Sequence, residues 1–223
     1  MKKWTTLERA LTPDGKTLSL AEHDGSYAIR VDGVPLMSTR QHASEEKLAL
    51  AACAHLRHVP RARVLVGGLG FGYTLKAALG ALGSDASVVV AELLAAVIEW
   101  NRNPAYGLAA LALADRRVTV VQQDVWETAG QERGSYHSIV LDVDNGPAAL
   151  SADANRRLYD YRGLRHARAA LRPGGCLAVW SVGPDAAFEG RMAQAGFAVE
   201  VQRCRSLGTS GRWHTLFLGR LKS

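Results

Sequence analysis

The chain has 223 residues, of which 48% are apolar and 22% charged, and a formal net charge of +6. That length suits one domain with room for a small appended element, and the composition is that of an ordinary globular protein. No apolar run approaches the roughly 18 residues of a membrane span, no apolar h-region follows the basic start Met1-Lys2-Lys3, so no signal peptide is expected, and three scattered cysteines (Cys53, Cys176, Cys204) argue against a disulfide framework or a metal site and for a reducing cytoplasm.

Residues 4–38 alternate polar and apolar side chains around turn signals at Pro13-Asp14-Gly15, Asp24-Gly25 and Asp32-Gly33, a pattern that predicts a small antiparallel β element. It is taken here as residues 1–40, with 41–223 forming the main domain. The segment Arg40-Gln41-His42-Ala43-Ser44-Glu45-Glu46 is unusually polar for a linker. Ser44 is placed to cap a helix over 44–53 whose first turn carries two acids.

Next comes Val64-Leu65-Val66, a buried strand running into glycines at 67, 68, 70 and 72 and then into a helix. Glycine is needed where the chain takes positive φ or where a ligand must touch backbone, and the following helix presents unpaired N–H groups. Such a turn cradles a nucleotide or makes a tight packing corner. The next strand, Ser87–Glu92, ends in an acid about 20 residues past the last glycine, the spacing at which a carboxylate reaches a ribose. Glu92 is therefore the candidate ribose ligand, the alternative being an acid at a helix N-terminus.

Two further strands, 117–123 and 136–141, run into Asp124 and Asp142, and Asp144 lies just beyond. Ligands in open parallel sheets bind beyond the carboxyl ends of the strands, so Glu92, Asp124, Asp142 and Asp144 are expected to face one crevice with the glycine loop. Asn145-Gly146-Pro147 is a strong turn that would bring both later acids inward, unless Asp144 is turn chemistry alone. A long helix is expected from about 153 to 171, stopped by Pro173-Gly174-Gly175. Its arginines, with Arg156, Arg157, Arg162, Arg165 and Arg168 opposite an apolar stripe, read as a solvated face. Dispersed charge and the lack of interleaved aromatics argue against a nucleic-acid partner. Between 197–202 and 213–218 there is no room for a helix, so these strands must pair antiparallel within an otherwise parallel sheet. Arg212-Trp213-His214-Thr215 reads as an edge strand with a surface histidine. Trp180 ends the fifth parallel strand, as a pocket wall or as core.

From about Tyr27 to Leu218 the chain resembles the spermidine synthase-like branch of the class I AdoMet-dependent transferases. The likeness is carried by Val31-Asp32-Gly33-Val34 with Ser38 and Arg40, the loop Val64–Gly72, Glu92, Gln123-Asp124, Leu141-Asp142-Val143-Asp144-Asn145-Gly146-Pro147 and Leu171-Arg172-Pro173-Gly174-Gly175. It implies an α/β fold with a Rossmann-like, seven-stranded, mostly parallel sheet, a C-terminal antiparallel hairpin and the small N-terminal β element. It implies S-adenosylmethionine or its decarboxylated form as cofactor, with Gly67, Gly68, Gly70, Gly72, Glu92 and Asp124 as the cofactor-binding residues. Glu92 would hold the ribose, Asp124 would lie near the adenine amino group, and Asp142, with Asp144, would deprotonate the acceptor amine. Gln41, His42 and Trp180 would line the acceptor side, His42 being otherwise a solvated residue before the helix.

The departures from that family are specific. Aminopropyltransferases carry an aspartate in the glycine loop that grips the donor's amino group, where this chain has Gly70 and Phe71. Their donor-binding glutamine corresponds to Leu36, and a tyrosine of the first helix to Glu45. The expected activity is therefore methyl transfer to an amine on a small-molecule acceptor, the alternatives being aminopropyl transfer, a non-catalytic AdoMet-binding or homodimer module, and an NAD-dependent oxidoreductase, which the terminal hairpin disfavours.

Overall fold

The alternating N-terminal segment folds into four antiparallel strands in sequence order, β1 (Thr5–Leu11), β2 (Thr17–His23), β3 (Ser26–Val31) and β4 (Val34–Ser38). Its two short turns place Asp24 and Asp32 at φ 48° and 49° and Gly25 and Gly33 at 74° and 80°, positive at both central residues as a twisted hairpin requires. The computed structural model describes residues 3–143, 146–147 and 157–222. Leu18, Leu20 and Ile29 of the small sheet are buried in the same apolar cluster as Val64 and Val66 of the main domain. Tyr106 Oη donates to Glu8 Oε1 at 2.6 Å and Tyr73 Oη to the Thr39 carbonyl at 3.1 Å, so the small sheet is tied to the large one by polar contacts as well.

The main sheet has seven strands: β5 (Arg63–Gly67), β6 (Ser87–Glu92), β7 (Val118–Gln122), β8 (Tyr136–Leu141), β9 (Leu171–Ser181), β10 (Ala198–Arg205) and β11 (Trp213–Arg220). Their order is β10-β11-β9-β8-β5-β6-β7. Strands β5 to β9 pair in parallel, while β11 runs antiparallel to both β9 and β10. Central strands are buried on both faces and so read as unbroken apolar runs. Alternation sends Val64 and Val66 into one layer and Leu65 into the other, as strand geometry dictates. The helices are α1 (Ala43–Cys53), α2 (Tyr73–Ala81), α3 (Ala95–Arg102), α4 (Ala110–Leu113), α5 (Val125–Gln131), α6 (Tyr161–Ala170) and α7 (Ala186–Gln194). Among the described residues no helix is long and apolar enough to cross a membrane.

Four local expectations are corrected. Helix α1 is capped at His42, and Ser44 lies inside it, buried against the cavity described below rather than turned back to the first amides. The long helix is interrupted: Asp160 accepts from Gly163 N at 2.7 Å and starts α6 afresh, with the preceding 148–156 outside the described residues. Pro173-Gly174-Gly175 lies within β9 rather than before it. Tyr136 pairs with Leu171 and Ser138 with Cys176, so those residues bulge out of the ladder, an extra loop that a strand accommodates by bending. Finally, the edge strand is β10. β11 is sandwiched between β9 and β10, which buries His214 to 7% exposure while leaving Trp213 exposed.

Candidate functional site

At the carboxyl ends of the parallel strands, two cavities meet around Leu36, Met37, Gly70 and Asp142, all four of which line both. Strand order reverses between β5 and β8, and in open α/β sheets that switch point is where ligands bind.

The larger cavity, about 500 Å³, is bounded by Gly68, Gly70, Glu92, Leu94, Gln123 and Asp124 among others. Gly68 has φ 88°, and a Cβ there would come within 2.4 Å of the Asp142 carbonyl; Gly70 has φ 52°. Only glycine fits these two positions without strain, and they put bare backbone on the cavity wall. Glu92 ends β6 almost fully buried, with Oε2 accepting from Leu69 N and Oε1 from Leu94 N, each at 2.9 Å. The carboxylate thus braces the glycine loop while lining the cavity. Asp124 caps α5 through Trp126 N at 2.8 Å and pairs with Arg157 at 2.6 Å. An adenosyl group fits this cradle: bare glycine backbone at one end, an acid on the β6 tip in the middle and Gln123-Asp124 at the other.

The smaller cavity, about 170 Å³, is walled by Gln41, Ser44, Glu45, Tyr73, Asp142, Trp180, Arg212 and His214 with apolar neighbours. Asp142 follows β8 and accepts from Thr74 Oγ1 at 2.5 Å through Oδ2. Burial raises its pKa above the ordinary carboxylate range, and the Thr74 bond opposes that rise. Glu45 faces the same space from α1. Its pKa is raised also, first by burial and then by the charge of Asp142. Two carboxyls in one desolvated space cannot both ionise freely.

Of the residues predicted for the site, Gly68, Glu92 and Asp124 line the larger cavity, Gln41 and Trp180 the smaller, and Gly70 and Asp142 both. Gly67 and Gly72 serve packing: a Cβ at Gly67 would meet Val125 Cγ2 at 2.7 Å, and at Gly72 Ala109 Cβ at 2.5 Å. His42, expected on the acceptor side, does not line the smaller cavity. Its ring stacks on Tyr73 at 4.1 Å, with Nδ1 2.9 Å from Glu46 Oε1, so it backs a wall residue. Asp144 lies outside the described residues. Glu45, Arg212 and His214 were missed as site residues, although Glu45 stood out as an acid where the related family has a tyrosine. Among the described residues no group of three or more His, Cys, Asp or Glu side chains is placed to hold a metal.

Solved structures with this architecture include a spermidine synthase in complex with the transition-state analogue AdoDATO, 16% identical over 96% of this chain and 72% of that one, with a TM-score of 0.76. The spermidine synthase from Thermotoga maritima is 17% identical over 96% of this chain and 72% of its own, with a TM-score of 0.77. A probable spermidine synthase from Corynebacterium glutamicum is 17% identical, covering 99% of this chain and 81% of its own at a TM-score of 0.66. No family model and no curated protein matches the sequence. The chain thus shares the fold of these spermidine synthases, and at these identities the likeness is one of fold alone.

Proposed function

We propose that this chain is a group-transfer enzyme that holds S-adenosylmethionine in the larger cavity and methylates an amine, or a similar nucleophile, seated in the smaller one. The single observation behind this reading is Asp142, which lines both cavities beside the glycine loop. The cofactor supplies an electrophilic carbon on a sulfonium. Gly68, Gly70, Glu92 and Asp124 are the residues that would hold it. The remaining work falls to the acceptor side, where an amine reacts only as its free base. Asp142, with one oxygen fixed by Thr74 and a proton affinity raised by burial, is suited to take that proton. Alignment of the two reactants across adjoining cavities supplies much of the remaining rate enhancement. A small-molecule acceptor and a cytoplasmic setting go with this reading.

Aminopropyl transfer from decarboxylated AdoMet is the second reading, favoured by the spermidine synthases among the structural neighbours. Against it stands the junction of the cavities, where Leu36 and Met37 flank Gly70; a Cβ on Gly70 would sit 3.2 Å from Met37 Sδ. An ammonium-gripping aspartate has no counterpart in that loop. Calorimetry with AdoMet, decarboxylated AdoMet and methylthioadenosine decides between the two. AdoMet is expected to bind at least as tightly as its decarboxylated form, and a preference of about tenfold or more (roughly 1.4 kcal/mol) for the latter would transfer the assignment to aminopropyl transfer.

A further inference from the structure

The acceptor cavity is chemically two-ended. Glu45 and Asp142 bring acid to it from α1 and the end of β8, while Arg212 and His214 line the same cavity from the start of β11. The acids and the arginine thus reach one cavity from different elements. Arg212 is exposed and its guanidinium has no partner among the described residues, yet its backbone is held firmly. Its N–H donates to Ser206 Oγ at 3.1 Å, its carbonyl accepts from Ser206 N at 2.9 Å, and the Ser206 carbonyl in turn accepts from Ala43 N at the start of α1. The hairpin loop thus ties the Arg212 backbone, through Ser206, to the start of the helix that carries Glu45.

Beside it are two more polar groups without a partner. Trp180 Nε1 and His214 Nδ1 are buried and make no hydrogen bond, and the two rings lie 4.6 Å apart. His214 is itself more than nine-tenths buried and lines the cavity. An indole N–H can only donate, and leaving such a group unpaired costs about as much as a lost hydrogen bond. An unpaired indole donor lining the same cavity as an arginine whose guanidinium has no partner among the described residues is provision for an acceptor atom, and for an anionic one in particular.

We propose that Arg212, together with the indole N–H of Trp180, binds a carboxylate on the acceptor, so that the acceptor is an amino acid with its reacting amine at the Glu45–Asp142 end rather than a diamine. This deepens the transferase reading and rests on it for the identity of the site. A diamine would place its second ammonium near Arg212, where like charges repel; a zwitterion satisfies both ends.

The test uses δ-aminovalerate and putrescine, which share a tetramethylene chain and differ in that a carboxylate group replaces one amine. Each is titrated into the full chain by calorimetry, with and without saturating methylthioadenosine. The wild type is expected to prefer δ-aminovalerate. Arg212→Met should weaken that ligand by roughly 10- to 100-fold, the worth of a hydrogen bond to a charged group, leave putrescine unchanged or tighter, and Arg212→Lys should restore part of the loss. Equal or better binding of putrescine by the wild type, binding of neither, or an Arg212→Met protein with unaltered preference would each overturn the proposal. A parallel titration with AdoMet and its decarboxylated form separates the two sources of carboxylate: if Arg212→Met weakens AdoMet alone, Arg212 reads the donor and the proposal is wrong. Failure of methylthioadenosine to bind would remove the transferase reading, while the comparison made without nucleoside still decides what Arg212 recognises.

Discussion

Glu45 on the first helix and Asp142 at the end of β8 face one small cavity, and the charge of Asp142 helps to keep the proton on Glu45. Burial is the leading cause at both, and the Asp142 charge adds to it at Glu45.

That pairing predicts a pH-dependent stability difference. Both folded-state pKa values lie above those of an unfolded carboxyl, so the folded state binds protons more tightly. The associated stability is complete below the unfolded pKa and is lost as pH rises toward the folded values. Glu45→Gln removes the neighbour and one desolvated carboxyl. Thermal unfolding should show wild type and variant alike at low pH, with the variant growing progressively more stable as pH rises above the ordinary carboxylate range. Parallel Tm profiles would show that folding does not raise the Glu45 pKa.

The four loop glycines should separate into two kinds. At Gly72, φ is 75° and an added Cβ meets Ala109 at 2.5 Å, so Gly72→Ala should destabilise by about 1–3 kcal/mol, the usual range for overpacking, with part of the loss recovered by Ala109→Gly. Gly70→Ala meets only the flexible Met37 side chain, though it shares the positive φ. Its larger effect should be on donor affinity. If Ala109→Gly gives no recovery, the Gly72–Ala109 contact is not what demands glycine there.

Much of this was legible in the chain because it is local. Val64–Val66 running into glycine, and Glu92, Asp124 and Asp142 at successive strand ends, announce a parallel sheet with a crevice at its carboxyl edge. The turns at Asp24-Gly25 and Asp32-Gly33 announce the small sheet in the same way. The acceptor wall was not legible, because tertiary packing makes it. Glu45 looked like a first-turn acid, and its proximity to Asp142 exists only once α1 lies across the sheet. His214 looked superficial, since nothing in Arg212–Thr215 reveals that β10 will cover that strand. Gly67 and Gly72 share the motif with Gly68 and Gly70, and only the positions of Val125 and Ala109 distinguish the packing glycines from those that line the cavity.

Glu92 has two tasks that can be measured apart. It accepts from the amides of Leu69 and Leu94 and, in the proposed role, from the ribose. Glu92→Ala should therefore lower stability by about 1–3 kcal/mol through the amides it leaves unpaired, and weaken methylthioadenosine by about 1.5–3 kcal/mol through the lost charged acceptor. Calorimetry on the folded fraction isolates the second effect. A destabilised variant with unchanged nucleoside affinity would make Glu92 a loop brace and nothing more.

Asp142→Asn tests the chemistry itself. The substitution keeps shape and the ability to accept from Thr74 Oγ1, but removes basicity, so nucleoside affinity should be retained while turnover falls by about 10²–10⁴-fold, the usual worth of a positioned proton acceptor. If the acceptor is an amine, raising pH should restore part of the rate, because free base accumulates in solution without help from the protein. Thr74→Val offers a complementary reading. The bond from Thr74 opposes the raised pKa of Asp142, so its loss should move the acidic limb of the pH–rate profile upward with little change in nucleoside affinity. Full turnover by Asp142→Asn would exclude Asp142 as the base, and a Thr74→Val profile identical to wild type would mean that this hydrogen bond does not set the proton affinity used in catalysis.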